Sequence, residues 1–274
     1  MIVSSNGPLT APETAVHVRE QPESRDYRRP RSLILLNGLA EQPESWFCNR
    51  AYWSQYFFVS APAILVYDGD SIQRRLEQDL PISVDYLTSR LEEYLDNYVQ
   101  DPPYHLVASS LGCQIAVEYA VRQADKVSRL VLLCPSGIAA EERLPVSDNA
   151  RQRDFFGLVA SVFFDSRFVE PGLVHYYQQR FRKRAWRKGA FRTIRDTSEN
   201  SIQGKLSLLD HETLVICGQE DRIVDPREVQ RLLAGRRNFS CQLLPKCGHA
   251  PQIESADLVN EMVVAFLSSG NGAL

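Results

Sequence analysis

Three side chains spread over half of this 274-residue chain could share one reaction: Ser110, Asp221 and His249. A serine hydroxyl is a poor nucleophile at neutral pH and needs a base within hydrogen-bond reach. An imidazole suits that role, because it titrates near neutrality and keeps a second ring nitrogen for an orienting partner. A carboxylate on that second nitrogen fixes the tautomer and stabilises the cation formed during the reaction. The chemistry this set points to is acyl transfer.

Each of the three has a local setting. Ser110 lies in HLVASSLGCQIAVEYA (105–120), where Leu106, Val107 and Ala108 read as a short apolar strand. Leu111, Ile115, Ala116, Tyr119 and Ala120 then fall at helical spacing. This is a strand–turn–helix corner whose tip, Ser110, has Ala108 two residues before it and Gly112 two after, as a strained tip demands. The same serines would also serve an ordinary helix start as N-cap. His249 stands in CGHAP, a loop stiffened by Gly248 and Pro251. Asp221 stands in GQEDRIV, where Glu220 and Asp225 compete with it; Asp225-Pro226 opens a helix, so capping accounts for Asp225 better. His105, His175 and His211 fit no site position and read as structural or solvated. Cys113 and Cys247 flank the presumed site and read as packing.

The elements that must bring these residues together alternate between apolar strands and helices. TAVHVRE (14–20) alternates like a half-buried strand, with His17 at its surface, after a loose polar arm over 1–13. SLILLNG (32–38), PAILVYDGD (62–70), the corner strand, KVSRLVLLCPSG (126–137) and ETLVICGQEDR (212–222) are near-continuous apolar runs. Such runs belong to strands buried on both faces. FSCQLLPKCGH (239–249) adds a strand and loop. Helices are expected over 43–57, over 83–99 with Ser83 as cap, over 225–235, and over 256–267. The pattern is a mostly parallel, doubly wound α/β sheet. Ligands of such sheets bind beyond the carboxyl ends of the strands, which is where Asn37-Gly38, Ser110, Asp221 and His249 all fall.

Residues 138–205 break the rhythm: helical spacing dominates and aromatic residues cluster between Phe155 and Phe191. The simplest reading is a helical cap inserted between two core strands, dividing the core into 1–137 and 206–274. Phe155, Phe156, Phe163 and Phe164 are the residues expected to line an apolar substrate cavity, with Asn37 and Gly38 from the core. RFRKRAWRKGAFR (180–192) is dense in Lys and Arg and free of acids; a solvated helix face is the default, and attraction for an anionic substrate, acyl carrier or lipid headgroup the alternative.

A net charge of −3 and a pI near 6.0 point to neither nucleic acid nor an anionic membrane. No apolar run approaches the roughly 18–20 residues of a membrane span, and the first residues lack the features of a secretory signal. Six cysteines in a chain this long make no dense disulfide framework, so they are read as reduced and the protein as cytoplasmic.

The order Ser, Asp, His, the corner ASSLG, the acid loop GQEDRIV and the histidine loop CGHAPQIE together resemble the α/β-hydrolase superfamily, in its capped branch, over roughly residues 14–268. The resemblance implies an α/β-hydrolase fold and a serine hydrolase acting through an acyl-enzyme on Ser110, with no metal or organic cofactor. The Leu111 amide, at a helix start, is one oxyanion donor; the resemblance implies that Leu39 supplies the other. The chain departs from the family in carrying Asn37-Gly38 where His-Gly is usual. Its serine nucleophile separates it from the epoxide-hydrolase and dehalogenase branches, whose nucleophile is a carboxylate. A small carboxylic ester or thioester is the expected substrate, with no nucleic-acid partner. Two alternatives stand beside it: C–C bond hydrolysis of meta-cleavage-type diketone acids, and a non-catalytic ligand-binding protein on the same fold. Oligomeric state is not legible.

Overall fold

A computed structural model of the chain describes residues 31–139, 142, 149 and 151–269. The expected strand over 14–20 and the polar arm before it lie outside these residues. Six strands, β1 (Ser32–Leu36), β2 (Phe58–Ser60), β3 (Tyr104–Ser109), β4 (Val127–Leu133), β5 (Thr213–Gly218) and β6 (Phe239–Leu244), form one sheet in the order β2-β1-β3-β4-β5-β6. Every pairing is parallel. The register puts Ser109 level with Leu133, and Leu133 level with Ile216. The chain therefore leaves β3, β4 and β5 along one edge, and the loops after them meet there.

The apolar runs form strands because both sheet faces are covered. Ile34, Leu36, Leu106 and Ala108 pack on one side, and Leu33, Leu35 and Val107 on the other. Fully burying one such leucine contributes about 1.5–3 kcal/mol. The first face is covered by α3 (Val84–Tyr98) through Leu87 and Leu91, and by α4 (Leu111–Arg122) through Ile115. The second is covered by α1 (Arg50–Trp53) through Trp53 and by the closing helix (Ala256–Ser268) through Val259 and Val263. Ser83 caps α3 as its position suggested, its hydroxyl accepting the Tyr86 amide at 3.2 Å.

One expected strand is corrected. Residues 62–66 carry no strand; the edge strand lies earlier, at Phe58–Ser60, and pairs with β1. Pro62 has no amide to give a ladder, so pairing stops before it. The apolar character of Leu65 and Tyr67 reflects burial against the helices instead. Beyond them runs α2 (Asp70–Glu77).

Between β4 and β5 lie α5 (Phe155–Ala160), α6 (Pro171–Arg182) and α7 (Arg184–Thr197). The basic run spans the end of α6 and most of α7, and acids face part of it. Asp68 faces Arg180 (3.9 Å) and Lys183 (3.5 Å), while Arg192 pairs with Asp79 (2.7 Å) and, within α7, with the largely buried Asp196 (2.6 Å). The solvent-facing pairs among these are worth about 0–1 kcal/mol each.

Gly112 has a steric reason to be glycine. A Cβ there would lie 2.5 Å from the Leu36 carbonyl oxygen and 2.8 Å from that of Asn37, both backbone atoms. The start of α4 thus presses directly on the end of β1. Gly112→Ala should cost about 1–3 kcal/mol, the usual range for overpacking, read as a lowered urea midpoint. An unchanged midpoint would show that the two elements separate freely.

Candidate active site

Ser110 sits between β3 and α4 with φ 48° and ψ −118°, a backbone conformation rare for any residue but glycine. Three backbone bonds hold it there. Its amide donates to the Leu133 carbonyl (3.0 Å), and its own carbonyl accepts from Cys113 (2.9 Å) and Ser136 (3.4 Å). The serine is an elbow rather than a cap: its side chain accepts no bond from the helix it opens. Leu111 begins α4, where the amide has no partner within the helix.

Asp221 follows β5 and His249 follows β6. The His249 ring, at Nδ1, bonds Asp221 Oδ2 at 2.8 Å, and the Asp221 side chain has no exposed surface. The other carboxylate oxygen, Oδ1, accepts the amides of Ile223 (2.8 Å) and Val224 (3.1 Å). Burial alone would raise this aspartate, but the charge and bond of His249 and the two amides outweigh it and hold Asp221 below the usual range. For His249 burial disfavours the cation, yet the charge and bond of Asp221, aided by Cys134, push it well above an ordinary histidine.

The neighbouring acids have other tasks. Asp225 caps α8 (Pro226–Leu233) by accepting the amides of Arg227 (2.9 Å) and Glu228 (3.3 Å). Glu220 tethers the histidine loop through the Cys247 amide (3.0 Å). Glu254 holds the same loop through the Gly248 amide (2.7 Å), and its second oxygen accepts the amides of Phe164 (2.8 Å) and Asp165 (3.1 Å). The His249 amide itself donates to Val162 (2.7 Å). The histidine loop is therefore bonded directly to the segment after α5.

The loop after β1 is built around groups that sequence reasoning missed. Ala40 has φ 62°; its amide donates to Tyr67 Oη (2.9 Å), and its carbonyl accepts from Tyr177 Oη (3.3 Å). Glu41 turns inward: Oε2 accepts the Gly38 amide (3.0 Å), and Oε1 lies 3.4 Å from Ser109 Oγ. Burial raises its pKa. Its signal was available, since an acid stands five residues past the end of β1. The side chain of Asn37 serves the loop, donating to the Gln42 carbonyl (2.6 Å) and Ser45 Oγ (2.8 Å). Leu39, between these anchors, packs partly buried against the core.

The four phenylalanines differ in burial. Phe163 is buried against Phe168, while Phe156 and Phe164 are 60% and 40% exposed. Phe155 packs on Phe181 beside a cavity of about 650 Å³ rimmed by arginines, among them Arg151 and Arg182. His105 is buried against Phe57, and burial with Arg31 and Arg129 lowers it to about 3, so it stays neutral. His175 and His211 are bound locally, to Gln179 and to the Ala124 carbonyl. Burial pushes the Cys113 and Cys247 thiols up, away from reactivity. Among the described residues, Cys134, Asp221 and His249 form a group with metal-ligand atoms within 4.8 Å of one another. Within that group Asp221 and His249 are already bonded to each other.

Comparison with known proteins agrees with this architecture. A model of the "Alpha/beta hydrolase family" matches residues 33–262. Human monoacylglycerol lipase ABHD6 is 23% identical over 260 residues, covering 87% of this chain and 75% of that one. A meta-cleavage product hydrolase from Pseudomonas fluorescens superposes with a TM-score of 0.75 at 21% identity, covering 88% of this chain and 92% of that one. Carboxylesterase CesB from Bacillus subtilis gives 0.70 at 18%, with 93% and 87% covered. At these identities the two structures speak to the fold alone. Among the described residues no helix is long and apolar enough to cross a membrane.

The sign of the pair's linkage follows from these shifts. His249, raised, contributes stability that is full below about pH 6.5, the ordinary histidine value, and is lost as pH rises through its folded value. Asp221, lowered, contributes stability present above about pH 3.9 and lost as pH falls through its folded value. Imidazole titration by NMR should place His249 above the ordinary histidine range and return it downward in Asp221→Asn. Asp225→Ala should leave that titration alone and cost about 1 kcal/mol of stability, as a lost cap does. If both variants move the imidazole equally, the division of labour between the two acids is wrong.

Proposed function

Because the chain belongs to the alpha/beta hydrolase family, and is an enzyme of that family, we propose that it hydrolyses a small carboxylic ester or thioester through an acyl-enzyme on Ser110. His249 acts as general base on the Ser110 hydroxyl, and Asp221 holds the imidazole by its other nitrogen. The tetrahedral oxyanion rests on the amides of Leu39 and Leu111; one such donor typically contributes about 3 kcal/mol to the barrier. His249 then protonates the leaving group, and water repeats the sequence on the acyl-enzyme. Residues 138–205 act as a cap over this site.

The observation that carries the reading is the 2.8 Å bond from Asp221 to Nδ1 of His249. It leaves Nε2 for proton transfer, on the sheet edge where Ser110 forms its strained elbow. The cap reading is supported by bonds from the helical segment to both catalytic loops: Val162 with His249, and Tyr177 with Ala40. Ester hydrolysis is favoured over C–C cleavage by the lipase relative that spans most of the chain. Several cations that could have held a diacid substrate, Arg180, Lys183 and Arg192, already face acids.

A fluorophosphonate probe should add one mass equivalent at Ser110, and Ser110→Ala should abolish it; labelling elsewhere would refute the assignment. A chain-length series of p-nitrophenyl esters beside a meta-cleavage ring-fission product decides the bond cleaved, with ester turnover expected to exceed C–C turnover. The general base must be neutral, so kcat should rise with pH through the raised value of His249. Asp221→Asn should move that limb to lower pH and reduce kcat by about four orders of magnitude.

A further inference from the structure

Glu41 is an unusual neighbour for an oxyanion site. Its carboxyl group is buried in the loop after β1, bonded to the Gly38 amide on one side and to Ser109, the residue before the nucleophile, on the other. A Cβ placed on Gly38 would lie 3.0 Å from Glu41 Oε1 and 3.0 Å from Ser110 Cβ, so the acid and the nucleophile flank the same glycine. Nothing in the triad chemistry uses this group.

Resting on the hydrolase reading above, we infer that Glu41 is a positioning residue. It clamps the loop carrying Leu39 to the end of β3, and so fixes the Leu39 amide relative to the Ser110 hydroxyl. One carboxyl oxygen accepts from the Gly38 amide and the other from the Ser109 hydroxyl, so a single side chain ties the turn of the loop to the last residue of β3.

Groups from several elements face Glu41: Asn37 and Gly38 from its own loop, Ser109 from the end of β3, Cys113 from α4, Tyr67 from the segment before α2, Tyr177 from α6, and His249 from the last loop. Burial raises Glu41, and the bonds from Gly38 and Ser109 and the charge of His249 oppose that rise. The linkage has the corresponding sign: a raised acid supports the folded loop at low pH and loses that support as pH rises through its folded value.

Glu41→Gln keeps both hydrogen bonds, its oxygen accepting from Gly38 and its nitrogen donating to Ser109, and cannot ionise. Glu41→Ala keeps neither. With a p-nitrophenyl ester, Glu41→Ala should lower kcat about 100-fold, the loss typical of one oxyanion donor, with KM changed by less than about threefold. Glu41→Gln should restore kcat near neutral pH to within about threefold of wild type. Equal losses in the two variants would overturn the inference, and so would wild-type kinetics in a folded Glu41→Ala. Should Glu41→Ala fail to fold by circular dichroism, Ser109→Ala, which breaks only the bond to β3, takes its place: a lowered kcat at unchanged KM is expected, and wild-type kinetics would overturn the inference. If wild type neither reacts with the fluorophosphonate nor turns over esters, the hydrolase reading fails first; if it does both, the result bears on Glu41 itself.

Discussion

The structure depends on a backbone conformation at one residue. Holding a serine at φ 48° and ψ −118° costs on the order of 1–3 kcal/mol, and such strain persists only where the surroundings leave no alternative. Here the surroundings are the sheet itself. The amide of Ser110 is bonded to the end of β4, and its carbonyl is bonded to α4 and to the loop after β4. Gly112 lets the start of α4 lie against the carbonyl oxygens at the end of β1. Relaxing the elbow would open that contact and disturb three neighbouring strands. The stability of the core thus maintains a conformation that serves the site.

The same sheet edge carries a buried ionic pair whose energetics are balanced by backbone. Taking a carboxylate out of water costs several kcal/mol unless its lone pairs find partners. Asp221 finds three, two amides and the imidazole. Glu220 and Glu254 are equally close in sequence to the site's loops, yet they bond backbone and hold the histidine loop from two sides. Three carboxylates of similar chemistry differ in role because only one meets the ring.

The helical segment between β4 and β5 is bonded to both loops that flank Ser110. Val162 and Glu254 join it to the histidine loop, and Tyr177 joins it to Ala40. Movement of that segment would be felt at both ends of the site. Proteins similar to this chain bear names as different as a monoacylglycerol lipase, a carboxylesterase and a meta-cleavage product hydrolase. Differences among them must reside in loops and side chains, since the sheet is common to all.

Local pattern was enough for most of the elements and for the fold class. Continuous apolar runs require burial on both faces, which dictates a parallel sheet under helices, while the small residues around Ser110 fitted both a sharp corner and a capped helix start. Ser83 and Asp225 were legible as caps because capping is decided within one helical turn. The strand expected at 62–66 was misread, because hydrophobicity marks burial without saying whether a ladder or a helix provides it. The choice of Asp221 over Glu220 and the inward turn of Glu41 depend on where distant loops meet, and so does the unequal burial of the four phenylalanines. Residue types and their spacing along the chain specify what a segment can form by itself. Which buried oxygen faces which ring or amide is settled only when the sheet brings remote ends together, because hydrogen bonding and desolvation act across space and not along the sequence.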